Sequence, residues 1–260
     1  MPALILMYHD LSDTPELVPP EHQPYVLTTA TFRRQMEAIV ASKLTVLTIS
    51  QWKLTPQPSG ALALTFDDGH VSNHDLILPI LFEYRLTATF FITAGLIGTG
   101  TTMDWQQLRA LHAAGMEIGS HTLTHRLPST LNDDELRHEL LESRRILEDG
   151  LGAPVTSISS PTGFFNPRMR DIAREVGYRS LCFGQIGLAA DDGDPFSLHR
   201  VAVKSSMEQD TFNALLRFER GTIRRLRLRQ SLLELARKIL RPNAYVRIRR
   251  MFLEGGMGIS

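Results

Sequence analysis

The sequence contains a single cysteine, Cys182, among 260 residues. One thiol cannot close an internal disulfide, so the core alone must hold the fold, and cysteine usage gives no sign of an oxidising compartment. Long apolar runs are also missing: none approaches the ~18 residues that would span a bilayer. The five-residue run Ala3–Met7 is too short for a signal-peptide core, and it lacks a basic flank and a small-residue cleavage site, so a cytoplasmic protein is expected. No GxGxxG turn or Walker A sequence is present to support a nucleotide-binding sheet. Repeats, low-complexity tracts and long Pro/Gly linkers are absent too.

Net charge is likewise zero, with 28 basic and 28 acidic side chains, but this balance hides an asymmetry. Arg217 to Ser260 carry twelve Lys/Arg against three Asp/Glu, a local +9, which leaves −9 on residues 1–216. Such a split points to a separate role for the tail. Its stretch Thr222–Leu240 interleaves leucines with arginines, Pro242 breaks the pattern, and a basic segment, Tyr245–Leu253, follows. A solvated helical face and an amphipathic helix on an anionic membrane both fit. Nucleic-acid binding does not, because aromatic interleaving and the known modules are missing.

The composition, 43% hydrophobic and 22% charged, is that of a soluble globular protein long enough to bury a core without staples. Strand-like apolar runs occur at Ala3–Met7, Leu44–Leu47, Ala61–Phe66, Ala88–Ile92, Met116–Ile118, Val155–Ile158, Arg179–Phe183 and Val201–Val203. Helical patterns separate them at Thr31–Ala41, Asp75–Tyr84, Trp105–Ala114, Asp133–Asp149 and Pro167–Val176, with Thr31 and Asp104 as start signals and Gly115 and Gly177 as stops. This alternation predicts an α/β fold, a distorted (β/α) barrel over residues 1–205, followed by a basic helical extension over 206–260.

Residues able to do chemistry recur just after the strand-like runs. His9-Asp10 follows the first, Asp67-Asp68-Gly69 follows ALALTF, Ser120-His121 follows MEIG, and Ser159-Ser160-Pro161-Thr162-Gly163 follows VTSI. In barrels the active site is built at that end of the strands. Adjacent carboxylates repel and are costly to desolvate without a cation or hydrogen bonds, although a solvated Asp-Asp-Gly turn is the bland alternative. His121 and His125 stand four apart, which on a helix would put both imidazoles on one face. One carboxylate and two imidazoles leave an open coordination position, the arrangement of catalytic zinc.

TFDDG followed by SHTLTH resembles the NodB-homology polysaccharide deacetylases, carbohydrate esterase family 4, over roughly residues 1–205. The resemblance implies that Asp67 is the general base and that Asp68, His121 and His125 hold a divalent metal, most simply Zn2+. It also implies that the backbone N–H of Thr162, in a loop with Pro161 and Gly163, helps to hold an oxyanion. Two departures stand out. Ser159 occupies the position where the family usually has an arginine that orients the base, which leaves Asp67 without a visible partner. The late Leu-x-His motif that usually supplies the acid matches only loosely at Ser197–Arg200. LMYHD is similar to the N-terminal Tyr-His of the permuted, poly-N-acetylglucosamine type of exopolysaccharide deacetylase, so His9 is the expected acid and His199 a packing residue. Asp10 is a candidate to raise the pKa of His9.

The expected chemistry is hydrolysis of an N-acetyl group from an N-acetylglucosamine-type sugar, oligosaccharide or lipid-linked saccharide. Trp105 and Phe164 are candidate walls of the sugar site. Two alternatives are a non-catalytic carbohydrate-binding relative, which loss of the arginine would favour, and a deformylase of a lipid-linked amino sugar.

Overall fold

A computed structural model describes residues 2–54, 60–163, 165–189 and 193–239, without the side chains of 53, 54, 234 and 236–239. The chain forms two compact units, Met1–Ser205 and Ser206–Ser260.

The first unit is built on parallel strands. They are β1 (Ala3–Tyr8), β4 (Thr45–Val46), β5 (Ala61–Phe66), β6 (Thr89–Ile92), β7 (Glu117–Ser120), β8 (Ser157–Ser159), β9 (Ser180–Phe183), β10 (Leu198–His199) and β11 (Val201–Ala202), while β2 (Asp10–Leu11) and β3 (Val26–Leu27) pair separately. The strand order is β10-β9-β8-β7-β6-β5-β1-β11, with β4 beside the start of β5. β10 and β11 stand at opposite ends of this order, yet only Arg200 separates them along the chain. Strands at the two ends of a sheet can be one residue apart only if the sheet curls round, so the unit is a nearly closed (β/α) barrel.

Every residue of β1 and β5 is buried, as expected where parallel strands are covered on both faces. Strand alternation sends Ala3, Ile5, Ala61, Ala63, Phe91, Cys182 and Leu198 into one cluster. The same parity then carries Thr65 inward on β5 and Asp67 inward just after it, and Arg200 inward after Leu198. Tyr8, Phe66 and Phe90 form a second layer, with ring centroids 5.3 and 4.8 Å apart.

The helices are α1 (Thr29–Ser42), α2 (Ile49–Leu54), α3 (Leu78–Glu83), α4 (Trp105–Ala113), α5 (Asp133–Leu151) and α6 (Pro167–Glu175). Asp104 and Asn132 close reciprocal capping boxes with Gln107 and Glu135. Gly115 and Gly177 follow α4 and α6 at φ 82° and 92°, the left-handed geometry expected of helix stops.

Three expectations need correction. The first helix is capped by Thr28, whose side chain accepts from the Thr31 N–H, so Thr31 lies inside it. The pattern Asp75–Tyr84 resolves into a π turn, Asn73–Ile77, followed by α3. Pro79 has no N–H to return to the Asp75 carbonyl, so a regular α-helix cannot run through. Finally, His121 to His125 form a loop rather than a helix, with left-handed Thr122 at φ 68° and His125 at φ 60°.

Described by itself, the second unit contains α7 (Gln209–Leu216) and α8 (Arg220–Ile239). The segment Tyr245–Leu253 and the break at Pro242 lie outside the described residues.

Candidate metal-dependent hydrolytic site

The C-terminal ends of β1, β5, β7, β8 and β10 lead directly into His9, Asp67-Asp68, His121, the segment Ser159–Gly163 and Arg200. Asp68 leaves the strand through a left-handed φ of 73°, a conformation that non-glycine residues seldom adopt away from functional turns. Its Oδ1 lies 3.3 Å from His121 Nε2 and 3.4 Å from His125 Nε2. The ligand-type atoms of the three residues all fall within 4.8 Å of one another.

The donor set can be tested on its hydrogen bonding. His121 Nδ1 lies 3.1 Å from the Ser159 carbonyl, which can only accept, so Nδ1 carries the hydrogen and Nε2 presents a lone pair in the neutral ring. Asp68 Oδ1 is shielded from solvent and takes no hydrogen bond among the described residues. Acceptors that converge without a donor between them fit a cation. Without one, the charges show the same tension. Burial acts to lower the pKa of His121, but Asp67 and Asp68 outweigh it and raise the value. For Asp68, burial acts to raise the pKa, and His121, His9 and His125 reverse it to well below the usual carboxylate range.

The His loop is held from outside by Glu139 on α5. One carboxylate oxygen accepts from the Leu123 and Thr124 N–H groups at 3.0 and 2.8 Å, and the other accepts from the Thr124 hydroxyl. On its other side the loop approaches Gly95, whose N–H donates to the Leu123 carbonyl at 2.8 Å. A Cβ there would sit 2.6 Å from that oxygen, so the approach requires glycine.

The partner that Asp67 lacked in the sequence is Arg200. Its Nη1 and Nη2 donate to the two Asp67 oxygens at 2.8 and 2.7 Å, a bidentate pair buried in the barrel. Nη2 also donates to Ser159 Oγ at 2.7 Å, Nη1 to Thr65 Oγ1 at 3.1 Å, and Nε to the Phe183 carbonyl at 3.2 Å. Ser159 in turn donates to Asp67 Oδ2 at 3.3 Å. Ser159 therefore links the guanidinium to the carboxylate. Burial works to raise the pKa of Asp67, but Arg200, His121 and His9 overcome it and hold the carboxyl below its ordinary value.

His9 is half-buried, with its ring 4.8 Å from that of Tyr25 and its Nδ1 shielded without a hydrogen-bond partner among the described residues. Burial lowers its pKa, Asp68 and Asp67 push back, and the balance remains below the usual imidazole value. The expectation for Asp10 is corrected. Its Oδ1 faces His70 Nδ1 at 3.8 Å, and burial with the nearby Asp68 raises its own pKa to about 7. The carboxylates that act on His9 are those of Asp67 and Asp68. His199 sits on β10 opposite Phe183, one residue out of phase with inward-facing Arg200.

Pro161 and Gly163 are buried around exposed Thr162, which adopts φ 59°. The Thr162 N–H takes part in no hydrogen bond among the described residues. Gly163 packs on Gly184, and a Cβ would stand 2.7 Å from the Gly184 Cα. The structure does not bring Trp105 to this cluster: its ring packs over Gly150 of α5, with the Arg109 guanidinium 5.9 Å from its centroid. Phe164 lies outside the described residues.

Comparison with known proteins points to the same family as the two motifs. The family model described as polysaccharide deacetylase matches residues 55–181, which include both motifs but neither His9 nor Arg200. A Bacillus subtilis (strain 168) protein named for polysaccharide deacetylation, YxkH, is 28% identical over 217 residues, covering 82% of this chain and 75% of its own. The Bacillus cereus peptidoglycan-N-acetylglucosamine deacetylase is 28% identical over 131 residues, covering 50% of this chain and 59% of its own. The solved Streptococcus pyogenes deacetylase PplD, in complex with acetate, shares the fold at a TM-score of 0.73 and 22% identity, with 83% of this chain and 97% of that one aligned.

Proposed function

Because this chain belongs to the polysaccharide deacetylase family, we propose that it removes the N-acetyl group from an N-acetylglucosamine-type saccharide during polysaccharide or glycolipid synthesis. The observation that carries this reading is the meeting of two constellations at one end of the barrel. Asp68, His121 and His125 would hold a divalent ion, and beside them Arg200 keeps Asp67 ionised. A lipid-linked saccharide is one form such a substrate takes.

We assign zinc to the site from its two imidazoles, one carboxylate and open position. When bound, the ion supplies Lewis acidity at the acyl oxygen and lowers the pKa of the attacking water. The remaining work belongs to the chain's own side chains. Asp67, ionised and held in orientation by two guanidinium bonds, accepts a proton from water as it attacks the acyl carbon. The Thr162 N–H donates to the oxygen that becomes an oxyanion; such donors are typically worth ~3 kcal/mol in the transition state. His9, when protonated, donates to the departing amine, which could not leave as an anion.

A non-catalytic reading drew its support from the missing arginine. Arg200, between β10 and β11, places a guanidinium on Asp67, which removes that support. Metal analysis combined with acetate release from chito-oligosaccharides tests the proposal. One bound ion per chain and acetate released by the wild type, both lost in Asp68→Asn, are expected. A metal-loaded chain that releases no acetate from any N-acetylated saccharide would rule out the deacetylase reading.

A further inference from the structure

Helix α8 presents three exposed leucines, Leu228, Leu232 and Leu235, at 56, 54 and 53% exposure. At 100° per residue they fall within about 60° of the helix circumference, so they form one stripe. Arg224 and Arg220 border it on one side and Arg225 and Arg229 on the other, with Arg227 beyond. Over Arg220–Ile239 the sequence carries seven Lys/Arg and one carboxylate, Glu234. No helix among the described residues is long and apolar enough to cross a membrane, so this one would lie on a surface.

We propose that α8 docks in the plane of an anionic lipid surface, with Leu228, Leu232 and Leu235 in the acyl boundary and the flanking arginines on phosphate headgroups. An apolar stripe bordered by guanidinium groups matches such an interface, because both kinds of side chain gain there at once. A second copy of the helix would cover the leucines but bring together seven Lys/Arg from each chain against a single Glu234. A nucleic acid would neutralise the arginines and leave the leucines in water. This inference does not rest on what the barrel hydrolyses.

The test is co-sedimentation of the full chain with vesicles of equal parts phosphatidylcholine and phosphatidylglycerol, against vesicles of phosphatidylcholine alone. The chain is expected to bind the anionic vesicles preferentially. The triple variant Leu228→Ser, Leu232→Ser, Leu235→Ser should lose at least about tenfold in partitioning. Its circular dichroism and its hydrolysis of soluble saccharide should stay unchanged. Neutralising Arg224, Arg225 and Arg229 to Gln should cost about fivefold for each arginine. These arginine variants leave the leucines in place, so they keep the test valid if the leucine variant misfolds. A chain that stays in the supernatant, or a leucine variant that sediments like the parent, overturns the proposal. So does a parent that dimerises through the stripe, seen as a halved mass in the leucine variant, or one that prefers an RNA oligonucleotide to vesicles in direct competition.

Discussion

A buried carboxylate and a buried guanidinium depend on each other, since removal of either leaves an uncompensated charge in the barrel. Arg200→Gln should therefore cost about 3–5 kcal/mol of stability in denaturant unfolding. Its second effect is on pH dependence. As the proposed base, Asp67 would have to be ionised to act, and Arg200 is the strongest influence lowering its pKa. In the wild type the acidic limb of kcat/KM should lie below the ordinary carboxylate range. In Arg200→Lys, which keeps the charge but loses the fork, the limb should move to higher pH; an unmoved limb would show that Arg200 does not tune the base. His9 and His199 are separable in the same way. His9→Ala should lower kcat by about 10²–10⁴ and abolish the basic limb of the profile, because the acid is gone. His199→Ala should behave like the wild type in the same acetate-release assay. The sequence showed Asp67 and both His motifs plainly but hid Arg200. Only strand parity, inward at Leu198 and therefore at Arg200, could have exposed it, and a two-residue strand is too short to announce its own alternation.

At the scale of elements, the short apolar strand runs and capped helices were legible because burial on both faces and reciprocal caps leave marks in composition. The two-residue strands β2, β3 and β10 and the short α2 left none. The His121–His125 spacing looked helical, yet the loop that carries it is shaped by contacts distant in sequence. Glu139 sits 14 residues beyond His125 and pins the loop through two backbone N–H groups and a hydroxyl. Glu139→Ala should take the acceptor from those part-buried donors, at a cost of about 1 kcal/mol. It should also weaken zinc affinity about 10- to 100-fold, as loss of an outer support to a metal ligand does. Competition with a zinc-binding dye, alongside thermal unfolding, measures both. Zinc affinity equal to the wild type's would show that the loop holds its ligand geometry unaided.

For the barrel as a whole, the site is formed by closure, because Arg200 joins the strands at the two ends of the sheet order and reaches across to β5. That closure was inferred from strand and helix alternation, but its seam was not visible until the register was known. Metal binding to the folded barrel should add stability by mass action, about 2.7 kcal/mol at a hundredfold excess over Kd. Saturating zinc should therefore raise the melting temperature by roughly 5–10 °C, and Asp68→Asn should abolish the shift. The central claim is that Asp67, held by Arg200 beside the Asp68, His121 and His125 cluster, is the base of an amide hydrolysis. Acetate release from a chito-oligosaccharide by Asp67→Asn, at metal loading matched to the wild type, tests it most directly. The account predicts a variant that folds and keeps its ion but is slower by about 10²–10⁴. A fully loaded Asp67→Asn chain that releases acetate at the wild-type rate would contradict it.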